Sequence, residues 1–308
     1  MIEFFVYILK VENLGNHHQV MDITLQSIFI CPQCHSKFSL QEKYWVCSKC
    51  GFKVSLVDNK PVFTPIPQGI IPSEKQDRGP HLGTRWRQAN WDFLERQVKK
   101  LNKKTIILDV GAGHGDFQAL LKHMSYVGVD IYPYSEIDVV CDFSYCMPIK
   151  KNSVDVAVLM NLCEHIYQPQ ALLSKLRYAL KPRGLMILTI PFMLKIHQAP
   201  LDFARYTHYA LEKMAAESGF RIEVIEGFYD PAGLMAEVER YFRFWQLPQL
   251  NKIKRMFARL SLGSIRMNSF LLQLIAGKGQ SKHPSQSIYP APTGYQMVWR
   301  KYSLRGEK

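Results

Sequence analysis

Three groups of residues in this chain have types and spacings that could do chemistry. Four cysteines stand in two C-x-x-C pairs, Cys31/Cys34 and Cys47/Cys50, with 12 residues between the pairs. A C-x-x-C turn offers two sulfurs from one knuckle, and two knuckles close the tetrahedron of thiolates that Zn²⁺ prefers. Such a shell leaves no place for water, so the predicted site is structural and holds together a segment too short to build its own core. His35 is read as a neighbour of this site, not a ligand. Cys141, Cys146 and Cys163 are scattered and read as packing residues. The second group is TIILDVGAGHGDF (105–117): an apolar run, Asp109, then Gly111, Gly113 and Gly115. Glycines let a backbone turn sharply and approach a ligand closely. The next apolar run, YVGVD, ends in Asp130, 19 residues after Gly111. A carboxylate at that place can accept two hydrogen bonds from a ribose diol. A tight packing turn and a dinucleotide site are the competing readings of the loop.

A third group lies in PFMLKIHQAPLDFARYTHYALEKM (191–214) and before it at Glu164-His165. His197 is a candidate general base, because an imidazole titrates near neutral pH, with Asp202 to orient it and Arg205 to hold an anionic substrate. His165 is the rival base. A solvated loop with an ordinary Asp–Arg pair is the plain alternative.

The elements that must position these residues alternate. Apolar β-type runs occur at 105–110, 126–130, 137–141, 154–159, 185–190 and 221–225, with helical patterns between them. A helix is predicted over 86–101. Another over 168–180 puts Leu172, Leu173, Leu176 and Leu180 on one face, and a third over 207–218 starts at an N-cap, Thr207, and stops at Gly219. Strand–helix alternation implies right-handed crossovers and a parallel sheet. The last run, GYQMVWR (294–300), reads as an edge strand. The expected organisation is an extension (1–27), a zinc ribbon (28–64), a linker and helix (65–103), and a main α/β domain (104–308) with a helical basic insertion at about 231–290.

Composition limits the classes. With 308 residues, 47% apolar and 21% charged, the chain is globular in type. No apolar run approaches the ~20 residues of a spanning helix. MIEFFVYILKVENLG has no basic start and no small-residue cleavage site, so it does not read as a signal peptide, and Met21 is a candidate alternative start. Paired thiols without a secretory signal point to a reducing, cytoplasmic setting. The net charge is +13, and residues 231–290 hold nine basic side chains against Glu237 and Glu239. That local field favours an anionic partner.

On these motifs the chain resembles the class I S-adenosylmethionine-dependent methyltransferases, over roughly 85–308. The resemblance implies an α/β, Rossmann-like, doubly wound and mostly parallel seven-stranded sheet. It makes Asp109, Gly111, Gly113 and Gly115 the family's first motif, Asp130 its ribose-binding acid with Ile131 beside it, and Asn161 a further cofactor contact. CDFSYCMPIKKNSVDVAVLMNLCEHI (141–166) is similar to the stretch in which Asp142 would cap the adenine amine and Phe143 would lie beside the ring. ALKPRGLMILTIPF (179–192) resembles the family's Lys-Pro-Gly-Gly turn and following strand, with Arg183 in place of the first Gly. Some family members carry Glu-x-x-Glu-His before 166 to bind a divalent metal; here Asn161 replaces the first Glu, which argues against a catalytic metal. His114 reads as a cofactor-contact spacer. Arg85 could reach the methionine carboxylate or be solvated.

The 191–214 segment resembles the H-x-x-P-x-D-[FY]-x-R-[YF]-T pattern of bacterial methyltransferases that modify surface polysaccharides or lipids. It implies an O-methyltransferase acting on a small, glycan or lipid-linked acceptor. An rRNA or tRNA methyltransferase, and a cofactor- or partner-binding module without turnover, are the alternatives. Residues 29–64 resemble the zinc ribbons that activate tRNA methyltransferases, with Val54-Ser55 where those have Pro-Ile, so partner activation is not inferred. The family joins its last two strands almost directly; here nearly seventy residues intervene. Apolar stripes beside Lys and Arg within 236–278 suggest a peripheral membrane contact that admits a lipid-linked substrate. A cationic RNA track and simple packing on the domain are the other two readings.

Overall fold

The computed structural model describes residues 26–41, 43–69, 83–228, 230–276 and 292–302. Most of the N-terminal extension with Met21, most of the linker, and the end of the insertion lie outside these residues.

The centre of the molecule is built from strands too apolar to face water. Strands β5 (Ile106–Val110) and β8 (Val154–Met160) are almost wholly buried Ile, Val and Leu, the pattern of parallel strands covered on both faces. They lie in one sheet with β6 (Ser125–Asp130), β7 (Val139–Val140), β9 (Leu180–Pro191), β10 (Phe220–Phe228) and β11 (Gly294–Lys301). The order is β7-β6-β5-β8-β9-β11-β10. All of these are parallel neighbours except β11, which is antiparallel to both β9 and β10. This is the doubly wound, Rossmann-like sheet expected from the alternation.

The pleat divides the strand residues between two cores. Leu108, Ala157 and Leu159 face one side, while Ile107, Val156 and Val158 face the other. Helix α1 (Arg85–Val98) covers the second side with Trp91, Phe93, Leu94 and Val98, and the Thr84 hydroxyl caps it by accepting from the Arg87 N–H at 3.2 Å. A short α2 (Gln118–Leu121) follows the glycine loop. Helix α3 (Pro169–Ala179) buries Leu172, Leu173 and Leu176, and α4 (His208–Glu217) begins at the expected cap, Thr207. Gly219 then turns the chain at φ +77°.

One expectation is corrected. The run 294–300 is not an edge strand: β11 lies between β9 and β10, and β10 is the edge. The reason is burial on both faces. Trp299 is fully enclosed and packs on Phe220.

The ribbon is not a freestanding appendage. Strands β1 (Phe38–Leu40), β2 (Tyr44–Cys47), β3 (Lys53–Val57) and β4 (Lys60–Val62) form an antiparallel meander. Val62 of β4 then pairs in parallel with Val140 of β7, which extends the sheet to eleven strands. Before the meander, Phe29 bridges to Ile149, and the Ile30 N–H donates to the Pro148 carbonyl at 2.8 Å. Phe29, Trp45 and Val54 belong to the main core, and Phe63 packs against it. The segment expected to lack a core shares the domain's own.

The insertion is helical, as expected: α5 (Pro231–Tyr241), a π-turn (Phe242–Gln246), a 3₁₀ turn (Leu247–Gln249) and α6 (Lys252–Ala276). Among the described residues, no helix is long and apolar enough to cross a membrane.

Candidate active site

Every predicted site residue except the cysteines falls at the carboxyl ends of parallel strands or in the loops that leave them, where this architecture opens its crevice. Gly111, Gly113 and Gly115 all have positive φ (+72°, +53° and +69°). At Gly113 the freedom is used twice. A Cβ there would project into space with no atom within 4 Å, and the Gly113 N–H donates to Asp130 Oδ2 at 2.9 Å. Asp130 Oδ1 accepts from the Tyr132 N–H at 3.1 Å. Burial raises the pKa of Asp130, opposed by these amides. The loop and the carboxylate expected to grip one nucleoside are thus in direct contact. Ile131 follows in the same turn.

His114 stacks beside Tyr134, with ring centroids 4.1 Å apart, and its Nδ1 lies 3.8 Å from Glu136. Asp109 is buried and accepts from the Tyr126 hydroxyl at 3.0 Å. Desolvation pushes its pKa up to about 7. Its visible role is as a strut between β5 and β6.

Other expected cofactor contacts have protein partners. The Asn161 side-chain oxygen accepts from Trp86 Nε1 at 3.0 Å, with the Asn90 amide and the Thr189 hydroxyl also in reach. Asn161 therefore ties α1 to the end of β8. Asp142 caps its own turn, its Oδ1 accepting from the Ser144 N–H, while the Asp142 N–H donates to Thr64 Oγ1 at 2.8 Å. The ribbon thus touches the turn that carries Asp142. Phe143 is enclosed in the main core and does not line an open wall; its apolar ring is held there by the packing of that core. Arg85 donates to Asp230 at 2.7 Å, so one of its guanidinium nitrogens is held by the protein while about 35% of the side chain stays exposed. Asn90, Thr189 and Thr64 had no sequence signal as site neighbours, because their partners lie far along the chain.

The acceptor-side residues do come together. After β8 the chain makes a 3₁₀ turn, Cys163–His165. The loop after β9 folds onto it, with the Phe203 N–H donating to the Glu164 carbonyl at 2.8 Å. His165 and His197 meet edge to face with centroids 4.8 Å apart. Asp202 accepts from the His197 N–H at 2.7 Å and lies 3.2 Å from His197 Nδ1. Arg205 grips both Asp202 oxygens and donates to the Leu194 and Lys195 carbonyls. The Arg205 guanidinium holds the Asp202 carboxyl well below the usual carboxylate range. Arg205 is therefore a brace of this loop. Burial lowers the pKa of His165, favouring its neutral form, and pushes Glu164 up to about 8. Glu164 is fully enclosed, and neither of its oxygens hydrogen-bonds to another residue.

In the ribbon, Cys31 Sγ lies 3.6 Å from Cys50 Sγ, and Cys34 Sγ lies 3.3 Å from Cys47 Sγ. All four sulfurs fall within 4.8 Å of one another. Four thiolates at these separations could hold one tetrahedral Zn²⁺.

Residues 82–263 match the family described as methyltransferase domain. The chain is similar in structure to a S-adenosylmethionine-dependent methyltransferase from Archaeoglobus fulgidus, at 20% identity and a TM-score of 0.44 over 71% of this chain and 95% of that one. It is also similar to a proposed sarcosine dimethylglycine methyltransferase from Galdieria sulphuraria (15% identity, TM-score 0.42, 70% and 86% of the two chains). A third is phosphoethanolamine N-methyltransferase 2 of Haemonchus contortus in complex with S-adenosyl-L-methionine (18% identity, TM-score 0.42, 70% and 53%). No curated protein matches the chain.

Proposed function

The chain belongs to the methyltransferase-domain family, and from that premise we propose that it transfers a methyl group from S-adenosylmethionine to a hydroxyl of a small, glycan or lipid-linked acceptor. The observation that carries this reading is the joint between the glycine loop and Asp130, with open space at Gly113. S-adenosylmethionine supplies an electrophilic methyl on a sulfonium. The residues that would hold it are the Gly111–Gly115 backbone and Asp130, whose carboxylate keeps lone pairs for a ribose diol. The protein's remaining work is to align the nucleophile and assist loss of its proton. His165 and His197 stand together on the same edge of the sheet, with His197 oriented by Asp202.

Calorimetry with S-adenosylmethionine and S-adenosylhomocysteine tests the grip. Wild type should bind both, and Asp130→Ala should lose binding at least about tenfold, the removal of a charged hydrogen-bond acceptor. Absence of binding in wild type, or full binding by the variant, would sink the enzyme reading. His197→Ala should lower turnover more than cofactor affinity. Cofactor binding without turnover on any acceptor would favour the non-catalytic module.

The ribbon's cysteines are assigned a structural Zn²⁺. The insertion is assigned to the surface of an anionic membrane, which would bring a lipid-linked acceptor to the crevice. Helix α6 supports this: Ile253, Phe257 and Leu260 are 69%, 60% and 67% exposed, Lys252, Lys254 and Arg259 are exposed beside them, and 252–276 contain no acidic residue. Exposed apolar rings beside basic side chains suit a headgroup interface. Flotation with vesicles containing phosphatidylserine should recover the protein, and deletion of 236–278 should abolish recovery. A shift of RNA in a gel without flotation would favour an rRNA or tRNA acceptor instead.

A further inference from the structure

We propose that Glu164, His165 and His197 form a second metal site, distinct from the ribbon, that binds one divalent transition cation of the zinc type. The starting observation is an anomaly. Glu164 is fully buried, yet neither carboxylate oxygen hydrogen-bonds to another residue. Leaving a buried acceptor unpaired costs about 1–3 kcal/mol, and more for a charged one. Such groups are rare in folded proteins and call for a missing partner.

The surroundings define that partner. One ligand atom from each of Glu164, His165 and His197 lies within 4.8 Å of the others. His165 Nε2 is 3.7 Å from Glu164 Oε1, too long for a hydrogen bond. The tautomers are set by what the opposite ring nitrogens touch. His165 Nδ1 is 2.5 Å from the Leu201 carbonyl, which can only accept, so Nδ1 carries the proton and Nε2 the lone pair. His197 Nδ1 lies between the Asp202 carboxylate (3.2 Å) and the Lys195 carbonyl (3.3 Å), again acceptors only, so in the neutral ring Nδ1 carries the proton and Nε2 keeps the lone pair. A carbonyl or carboxylate behind each imidazole is the usual outer shell of metal-binding histidines. Asp202 is in turn braced by Arg205. Each ring therefore presents an unprotonated nitrogen held in place from behind, and the carboxylate presents two free oxygens.

The donor set identifies the class of ion. Two imidazoles and one carboxylate suit Zn²⁺, Co²⁺ or Fe²⁺ over Ca²⁺ or Mg²⁺, which take mostly oxygen. Modest side-chain adjustment would bring the ligands to the ~2.0–2.2 Å that such ions need. Three protein ligands leave coordination open, the pattern of catalytic sites, unlike the closed four-thiolate ribbon. Asn161, whose oxygen is engaged by Trp86, is not part of the set. Cation binding itself does not depend on the methyltransferase reading. Where that reading holds, the site deepens it: His165 and His197 would hold the cation, which would supply Lewis acidity to an acceptor hydroxyl, and the proton released on methylation would pass to solvent water.

The test uses the full-length protein with its ribbon loaded with zinc, titrated with Co²⁺. One further equivalent should bind, with weak visible ligand-field bands and no thiolate-to-cobalt charge-transfer band, because no sulfur ligates. Glu164→Gln, His165→Ala and His197→Ala should each weaken this binding at least ~100-fold, while Asp202→Asn, acting through His197, should weaken it about 10–100-fold. Ribbon zinc content and far-UV circular dichroism should stay unchanged, and the isosteric Glu164→Gln guards against loss of fold. Absence of a second equivalent, appearance of thiolate bands only, or full binding by Glu164→Gln would overturn the proposal. Turnover that persists in metal-free protein and still requires His197 would overturn it too, while leaving the methyltransferase reading intact.

Discussion

Two additions flank the same sheet, and they are joined to it in opposite ways. The ribbon continues the sheet through Val62 and Val140 and sends Phe29 and Trp45 into the main core. The insertion leaves between β10 and β11, and its long helix α6 keeps Ile253, Phe257, Leu260 and Phe270 largely in the open. A segment whose apolar side chains are absorbed by the domain is part of how the domain holds its shape. One whose apolar side chains stay outside adds little to that core and leaves an apolar surface open to contact.

That contrast can be broken by experiment. The largest effect should come from Cys47→Ser. Structural zinc sites contribute on the order of 10 kcal/mol to small folds at neutral pH, so thermal melts should show a collapse of the unfolding temperature, reproduced in wild type by a strong chelator. Deleting 242–276 should leave the melt close to wild type; equal damage from both changes would erase the distinction. Next, Trp45→Ala should cost about 3–5 kcal/mol in urea unfolding, the usual penalty for emptying a buried aromatic site. A cost under about 1 kcal/mol would mean the ribbon is only loosely attached.

The sheet between the two additions supplies an internal reference through Asp109. Burial raises its folded pKa to about 7, well above the usual carboxylate range. A raised carboxyl favours the protonated folded form, so its stabilising contribution is complete below about pH 4 and is lost as pH rises through about 7. Unfolding free energies of wild type minus Asp109→Asn should therefore fall across that window, and a flat difference would refute the burial. The smallest effect on stability belongs to the insertion: Phe257→Ala should change it by less than about 0.5 kcal/mol while reducing recovery on acidic vesicles. A marked loss of stability would show that Phe257 is packed on the domain after all.

Much of this was readable from local chemistry. A positive-φ turn needs glycine, a helix start needs a cap such as Thr207, and an α/β alternation needs its apolar runs; each is decided within a few residues. The joint of Gly113 with Asp130 followed from the same spacing. Long-range pairing was not readable. Nothing near 294–300 says that it will be threaded between two strands, and nothing near Arg85 points to Asp230, 145 residues away. Phe143 was expected beside the adenine ring from the resemblance of 141–166 to the family, yet core packing holds it inward. Glu164 was visible as a residue, but its enclosure and its lack of hydrogen-bonding neighbours appear only when the loop after β9 lies over it.

The pairing of Val62 with Val140 also bears on how the molecule can be cut. Strand β7 is two residues long and has β4 as its outer rail. A fragment starting at residue 65 would lack that rail and bare the amides and carbonyls along the edge of β7, an invitation for a second chain to dock there. The four-cysteine meander thus covers that edge, and a methyl-transfer unit has to be carved with the cover left on.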